Sequence, residues 1–121
     1  MDELELVTPA LETAELAPGT FVVAASGELD VWSSDSFDAE LEHVVARDPR
    51  TVIVDLQAVP LIDSTILGVL MRRAKQLRRR EATLVLVSND PRTVRVIEIT
   101  GLAYLFRMER SLADALRAEA A

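Results

Sequence analysis

The chain has 121 residues and a formal net charge of −7, with half of its residues apolar, 4% aromatic and no cysteine. A chain of that length supports one core, here of Val, Leu, Ile and Ala, and the missing thiols exclude a disulfide framework and thiolate chemistry. The acidic balance excludes nucleic-acid binding by a general basic field, because counterion release needs cations aimed at phosphates.

A single domain over residues 1–121 is expected, with a core from about 20 to 118 and an acidic amino-terminal segment with an edge strand in 1–19. Met1-Asp2-Glu3 has the wrong charge to begin a signal peptide, and no apolar run reaches the roughly 20 residues of a membrane span, so a cytoplasmic protein without a membrane partner is expected. Leu4, Leu6 and Leu11 alternate with polar residues as an edge strand would, although Pro9 and the Ala-rich residues after it interrupt the pattern. Pro18-Gly19 signals a turn, and Phe21 to Ala25 reads as a strand closed by Gly27. Trp32 and a Ser-rich cap then lead into a helix buried through Phe37, Leu41, Val44 and Val45, which Asp48-Pro49 ends.

Thr51 to Leu56 is a β-branched run of the kind that fills a buried parallel strand. Asp63 and Ser64 follow at the start of a helix whose apolar face is read as Ile66, Leu67, Leu70, Met71, Ala74 and Leu77. The opposite face would carry Thr65, Gly68, Val69, Arg72, Lys75 and Gln76, placing a Gly-Val pair among polar residues. The basic run Arg72 to Arg80 is read as the solvated side and last turn of this helix, where cations suit the dipole.

Leu84 to Val87 repeats the all-apolar strand pattern, so two parallel strands flank one right-handed crossover helix. Asn89-Asp90-Pro91 starts another helix, Gly101 is its left-handed stop, and Tyr104 to Phe106 is an apolar patch of unassigned type. Ser111 to Asp114 has the spacing of a capping box before a last helix.

The catalytic inventory is thin, with one histidine and one lysine, and there is no phosphate-binding glycine loop and no metal-ligand cluster. His43 reads as a surface residue of the first helix. Asp55, at the end of a buried strand, invites comparison with a phosphate-accepting receiver domain. The required acidic pair and carboxy-terminal lysine are missing, which leaves Asp55 bonding backbone or solvent. A non-enzyme without cofactor or metal is expected.

Asp63 and Ser64 by themselves are no more than a helix cap. Gly27-Glu28-Leu29-Asp30, Val54-Asp55-Leu56, Ile62-Asp63-Ser64-Thr65, Leu67-Gly68-Val69-Leu70 and Thr100-Gly101-Leu102, in this order, together resemble the STAS domain of bacterial anti-sigma factor antagonists, from about Phe21 to Leu116. The resemblance implies an α/β fold: a mixed four- to five-stranded sheet with parallel central strands, flanked by about four helices, the STAS or SpoIIAA-like architecture. It implies a switch whose phosphoacceptor is Ser64, modified by an anti-sigma factor with serine kinase activity and reset by a PP2C-type phosphatase. The unphosphorylated form would bind that anti-sigma factor and free the sigma factor, and any ATP and magnesium would belong to the partner.

The expected partner-binding set around Ser64 is Asp30, Trp32, Ile62, Asp63, Thr65, Gly68, Val69 and Arg72, with Thr65 a contact and not a phosphoacceptor. Val69 and Trp32 are the first candidates for a homodimer contact. The chain departs from the family pattern at Ile66, often glycine, and at the Glu81-Ala82 turn, which lacks the usual glycine. The alternative readings are a non-switching accessory subunit of the stressosome or lipid-transport type and, from another class, a small phosphate- or nucleotide-binding enzyme.

Overall fold

A computed structural model describes residues 10–60 and 62–120. Leu4, Leu6 and Leu61 lie outside the described residues. The described elements run β1 (Ala10–Ala17), β2 (Thr20–Ser26), α1 (Ser34–Val45), β3 (Thr51–Ala58), α2 (Ser64–Arg79), β4 (Thr83–Val87), α3 (Pro91–Ile99), a 3₁₀ turn (Leu102–Leu105), β5 (Arg107–Glu109) and α4 (Leu112–Ala120).

The five strands lie side by side in chain order, with β1 antiparallel to β2 and the β2-β3, β3-β4 and β4-β5 pairs parallel. Because the order never reverses, successive right-handed crossovers stack their helices on the same face of the sheet. Side chains alternate accordingly. Val52, Val54 and Leu56 of β3 join Phe37 and Leu41 of α1, Ile66 and Leu70 of α2 and Ile97 of α3 in one core, while Ile53 points the other way to join Val22, Val85, Val87 and Ala115 under α4. Full burial of such side chains contributes about 1.5–3 kcal/mol each.

The edge strand is the Ala-rich segment after Pro9, with one half-buried residue, Leu11, along an otherwise exposed strand. Pairing with β2 overrides the weak local propensity of Ala and Glu. The Tyr104 to Phe106 patch divides between the 3₁₀ turn and the residue before β5; Leu105 and Phe106 are buried, whereas Tyr104 is exposed. The short strand β5 has no sequence signal of its own. It exists because β4 offers a free edge.

Two departures concern α2. Its buried stripe is Ile66, Val69, Leu70, Ala74 and Leu77, with Leu67 and Met71 only half-buried at its border. Val69, expected on the outer face, is 2% exposed and belongs to the core, because it lies about 60° from Ile66 around the helix axis. Nor is the basic run all solvated: Arg73 is 13% exposed and pairs with Asp38 and Glu42 of α1, and Arg80 donates to the carbonyl of Val45. Ile66 is fully buried, so the residue that stands in place of the family's glycine fills the core. Glu81, where the turn glycine is missing, takes the left-handed conformation at φ 60°.

Asp55 accepts from the backbone N–H of Gln57 at 3.0 Å, a local turn bond at the strand end. No described helix is long and apolar enough to cross a membrane.

Candidate functional site

Ser64 is exposed at the first position of α2. Asp63 caps that helix: its backbone is extended, and its Oδ1 accepts from the N–H of Ile66 at 2.9 Å. The cap fixes where the helix begins, and the residue after it, Ser64, is exposed at the end of the helix where the dipole is positive.

The β2–α1 loop runs beside this junction. Leu29 and Ile62 form a parallel β-bridge outside the named strands, which sets Asp30 at the same end of the sheet as Ser64. Asp30 makes a turn of its own, its Oδ1 accepting from the N–H of Trp32 at 3.0 Å while its N–H donates to Ser33 Oγ at 3.0 Å. Ser33, at the cap position of α1, is thereby turned back toward Asp30 and gives the helix no side-chain cap. Trp32 is left 91% exposed and Val31 56% exposed, so the indole covers no part of the core.

On the outer face of α2, Thr65 and Gly68 are half-buried and Arg72 is exposed, its guanidinium 3.6 Å from the carboxylate of Asp38. A Cβ at Gly68 would have Arg72 as its nearest neighbour, at 3.9 Å, so the glycine leaves a shallow place in this face. Ile62 and Asp63 are half-buried. Of the expected set, Ser64, Asp30, Trp32, Ile62, Asp63, Thr65, Gly68 and Arg72 present some surface; Val69 does not, so it is withdrawn both as a partner contact and as a dimer contact.

One neighbour was missed from the sequence. A cavity of about 330 Å³ opens between the start of α2 and the length of α3, lined by Ile62, Asp63, Ser64 and Leu67 on one side and by Arg92, Thr93, Val96 and Thr100 on the other. The signal was available: two successive strand-to-helix junctions, each with an aspartate cap, must lie side by side when their strands are parallel neighbours. Asp90, the cap of α3, has its pKa held down by the side chain of Arg92 and by the Arg92 N–H that it accepts.

Among the described residues no group of three or more His, Cys, Asp or Glu is placed to hold a metal ion. Fold and site together define a class: an α/β domain that presents a serine hydroxyl at a helix start, flanked by an exposed aromatic loop. The model of the STAS domain family matches residues 13–115, and the chain belongs to that family. An anti-sigma-B factor antagonist from Listeria monocytogenes is 32% identical over 87 residues, covering 72% of this chain and 76% of the relative. The crystal structure of an anti-sigma factor antagonist from Mycobacterium paratuberculosis is 30% identical and superposes with a TM-score of 0.82 over 92% of this chain and 93% of that one. The Bacillus cell fate determinant SpoIIAA in its phosphorylated form shares the fold, with a TM-score of 0.73 at 19% identity over 90% of this chain and 98% of that one.

Proposed function

We propose that this protein is an anti-sigma factor antagonist switched at Ser64. Unphosphorylated, it binds a cognate anti-sigma factor with serine kinase activity in the cytoplasm, and the sigma factor is released. Phosphorylation of Ser64 ends that binding, and a PP2C-type phosphatase restores it. The reading rests on the exposure of Ser64 at the start of α2, supported by membership of a family in which the relatives named above are anti-sigma factor antagonists.

The physics of the switch is local. A phosphate brings about −1.5 to −2 charge, which the amino end of a helix tolerates, so the fold survives modification. A partner that closes over Ser64, Asp63 and Trp32 has to strip water from that dianion beside an existing carboxylate, and an unpaired buried charge is costly. The domain acts by binding. The chemistry of phosphate transfer and removal belongs to its partners.

Incubation with the cognate anti-sigma kinase and ATP, followed by mass spectrometry, should place one phosphate on Ser64 and none on Ser64→Ala. Calorimetric titration should show Ser64→Asp binding the kinase at least about 100-fold more weakly than wild type, which is about 2.7 kcal/mol. A chain that stays unmodified, or a Ser64→Asp protein that binds as tightly as wild type, would make the domain a constitutive interaction module instead.

A further inference from the structure

Ser64 and Arg92 line the same cavity, and Arg92 is the one cation among the described residues that line it. The Arg92 side chain is 69% exposed and already spans the gap between the two junctions: Nη2 donates to the carbonyl of Pro60 at 3.0 Å and to Asp90 Oδ2 at 3.2 Å, and Nε donates to Asp90 Oδ1 at 3.3 Å. Pro60 belongs to the loop that ends at Ser64. Nη1 donates to no described residue.

We propose that Arg92 is the internal counter-ion of a phosphate on Ser64, exchanging its bond to the Pro60 carbonyl for the phosphate oxygens. The proposal rests on the switch reading above and deepens it. A guanidinium presents its donors in a planar fork that suits two phosphate oxygens at once, and a dianion outbids a neutral carbonyl for it. Ile62, Leu67 and Val96 give the rest of the cavity an apolar lining, so Arg92 is the group there that can answer a phosphate's charge. Asp63 lines the same cavity and Asp90 is bonded to Arg92. Both repel the phosphate, so without Arg92 it would be left among like charges. The modified form would then differ from the unmodified one in two ways: a new charge on the surface, and a Pro60 carbonyl no longer bonded to Arg92.

The test uses the full chain with phosphoserine installed at position 64 during translation, so that no kinase is needed. A ³¹P NMR titration reads the second pKa of the phosphate, about 6 when unperturbed. In the Arg92→Ala protein that pKa should lie higher than in wild type by about half a unit or more, the direction expected when an opposite charge is removed. Arg92→Lys, which keeps the charge but loses the fork, should fall between the two. Identical titrations for wild type, Arg92→Ala and Arg92→Lys would overturn the proposal while leaving the kinase experiment untouched. Failure of the kinase to modify Ser64 would sink the switch and leave this titration readable. Circular dichroism of the unphosphorylated variants serves as the check on folding.

Discussion

Leu29 and Ile62 are bridged in parallel beyond the last ladder residues of β2 and β3, and this pin sets the Trp32 loop against the Ser64 junction. Leu29 is 2% exposed, so the loop is anchored through the core while its tip stays in water. Trp32 and Val69, grouped together by sequence, are thereby separated into a surface residue and a core residue, and their substitutions should separate too. Trp32→Ala should leave urea stability within about 0.5 kcal/mol of wild type and weaken binding of the anti-sigma partner about tenfold or more. Val69→Ala should cost about 1–3 kcal/mol of stability and leave affinity, measured well below the melting temperature, within about twofold. The reverse pattern would place Val69 in the interface after all.

Asp63 does two jobs that can be pulled apart. As the cap of α2 it accepts from the Ile66 N–H, and Asp63→Ala should lower stability by about 1 kcal/mol in chemical denaturation. Asp63→Asn keeps an oxygen for that bond and should recover most of the loss. If the partner reads the carboxylate itself, Asp63→Asn would fold normally and still bind poorly.

Glu119 ties the end of α4 to the sheet, accepting from the Thr51 hydroxyl and from Arg107 Nη1 at 2.6 Å. Burial works to raise its pKa, but the hydrogen bonds from Thr51 and Arg107 outweigh it and hold the carboxyl below the ordinary glutamate range. The folded state therefore binds this proton more weakly than the unfolded chain does. Its contribution is complete above about pH 4.3 and is lost as the pH falls through the lower folded value. Urea melts between pH 7 and pH 3 should show a shallower acid decline for Glu119→Gln than for wild type. Parallel curves would show that the tether carries no charge-dependent stability.

Gly101 and Gly68 should respond to alanine with opposite signs. Gly101 has φ 72° and nothing within 4 Å of an added Cβ, so Gly101→Ala should destabilise by about 1 kcal/mol through the backbone alone. Gly68 is helical with room for a methyl group, so Gly68→Ala should stabilise by about 0.5–1 kcal/mol. Should Gly68→Ala stabilise the fold yet weaken the partner complex, the shallow place in the outer face of α2 would be a contact. Thermal denaturation and calorimetric binding on the same samples read both effects.

The all-apolar runs of β3 and β4, the Asp-Pro start of α3 and the glycine after it were legible because each is a local arrangement of backbone preference and hydrophobic period. The Asp63–Ser64 junction was legible for the same reason, since a cap and the apolar face after it mark a helix start. An edge strand within 1–19 was legible, but its placement on the Ala-rich residues after Pro9 was not, nor was β5, because a strand of Ala and Glu, or one of three residues, forms only where a neighbour offers its edge. Arg73 carries the same local signal as Arg72, yet one is half-buried against Asp38 and Glu42 of α1 and the other is exposed.

By itself, then, the amino-acid sequence determined the parallel α/β pattern and a serine at a helix start, properties that depend on residues a few positions apart. Tertiary structure alone decided which side of α2 faces the core, and it brought Arg92 to the rim of the Ser64 cavity. Helix rotation is set by the packed surface beneath it, and two junctions far apart in the chain become neighbours only when their strands pair.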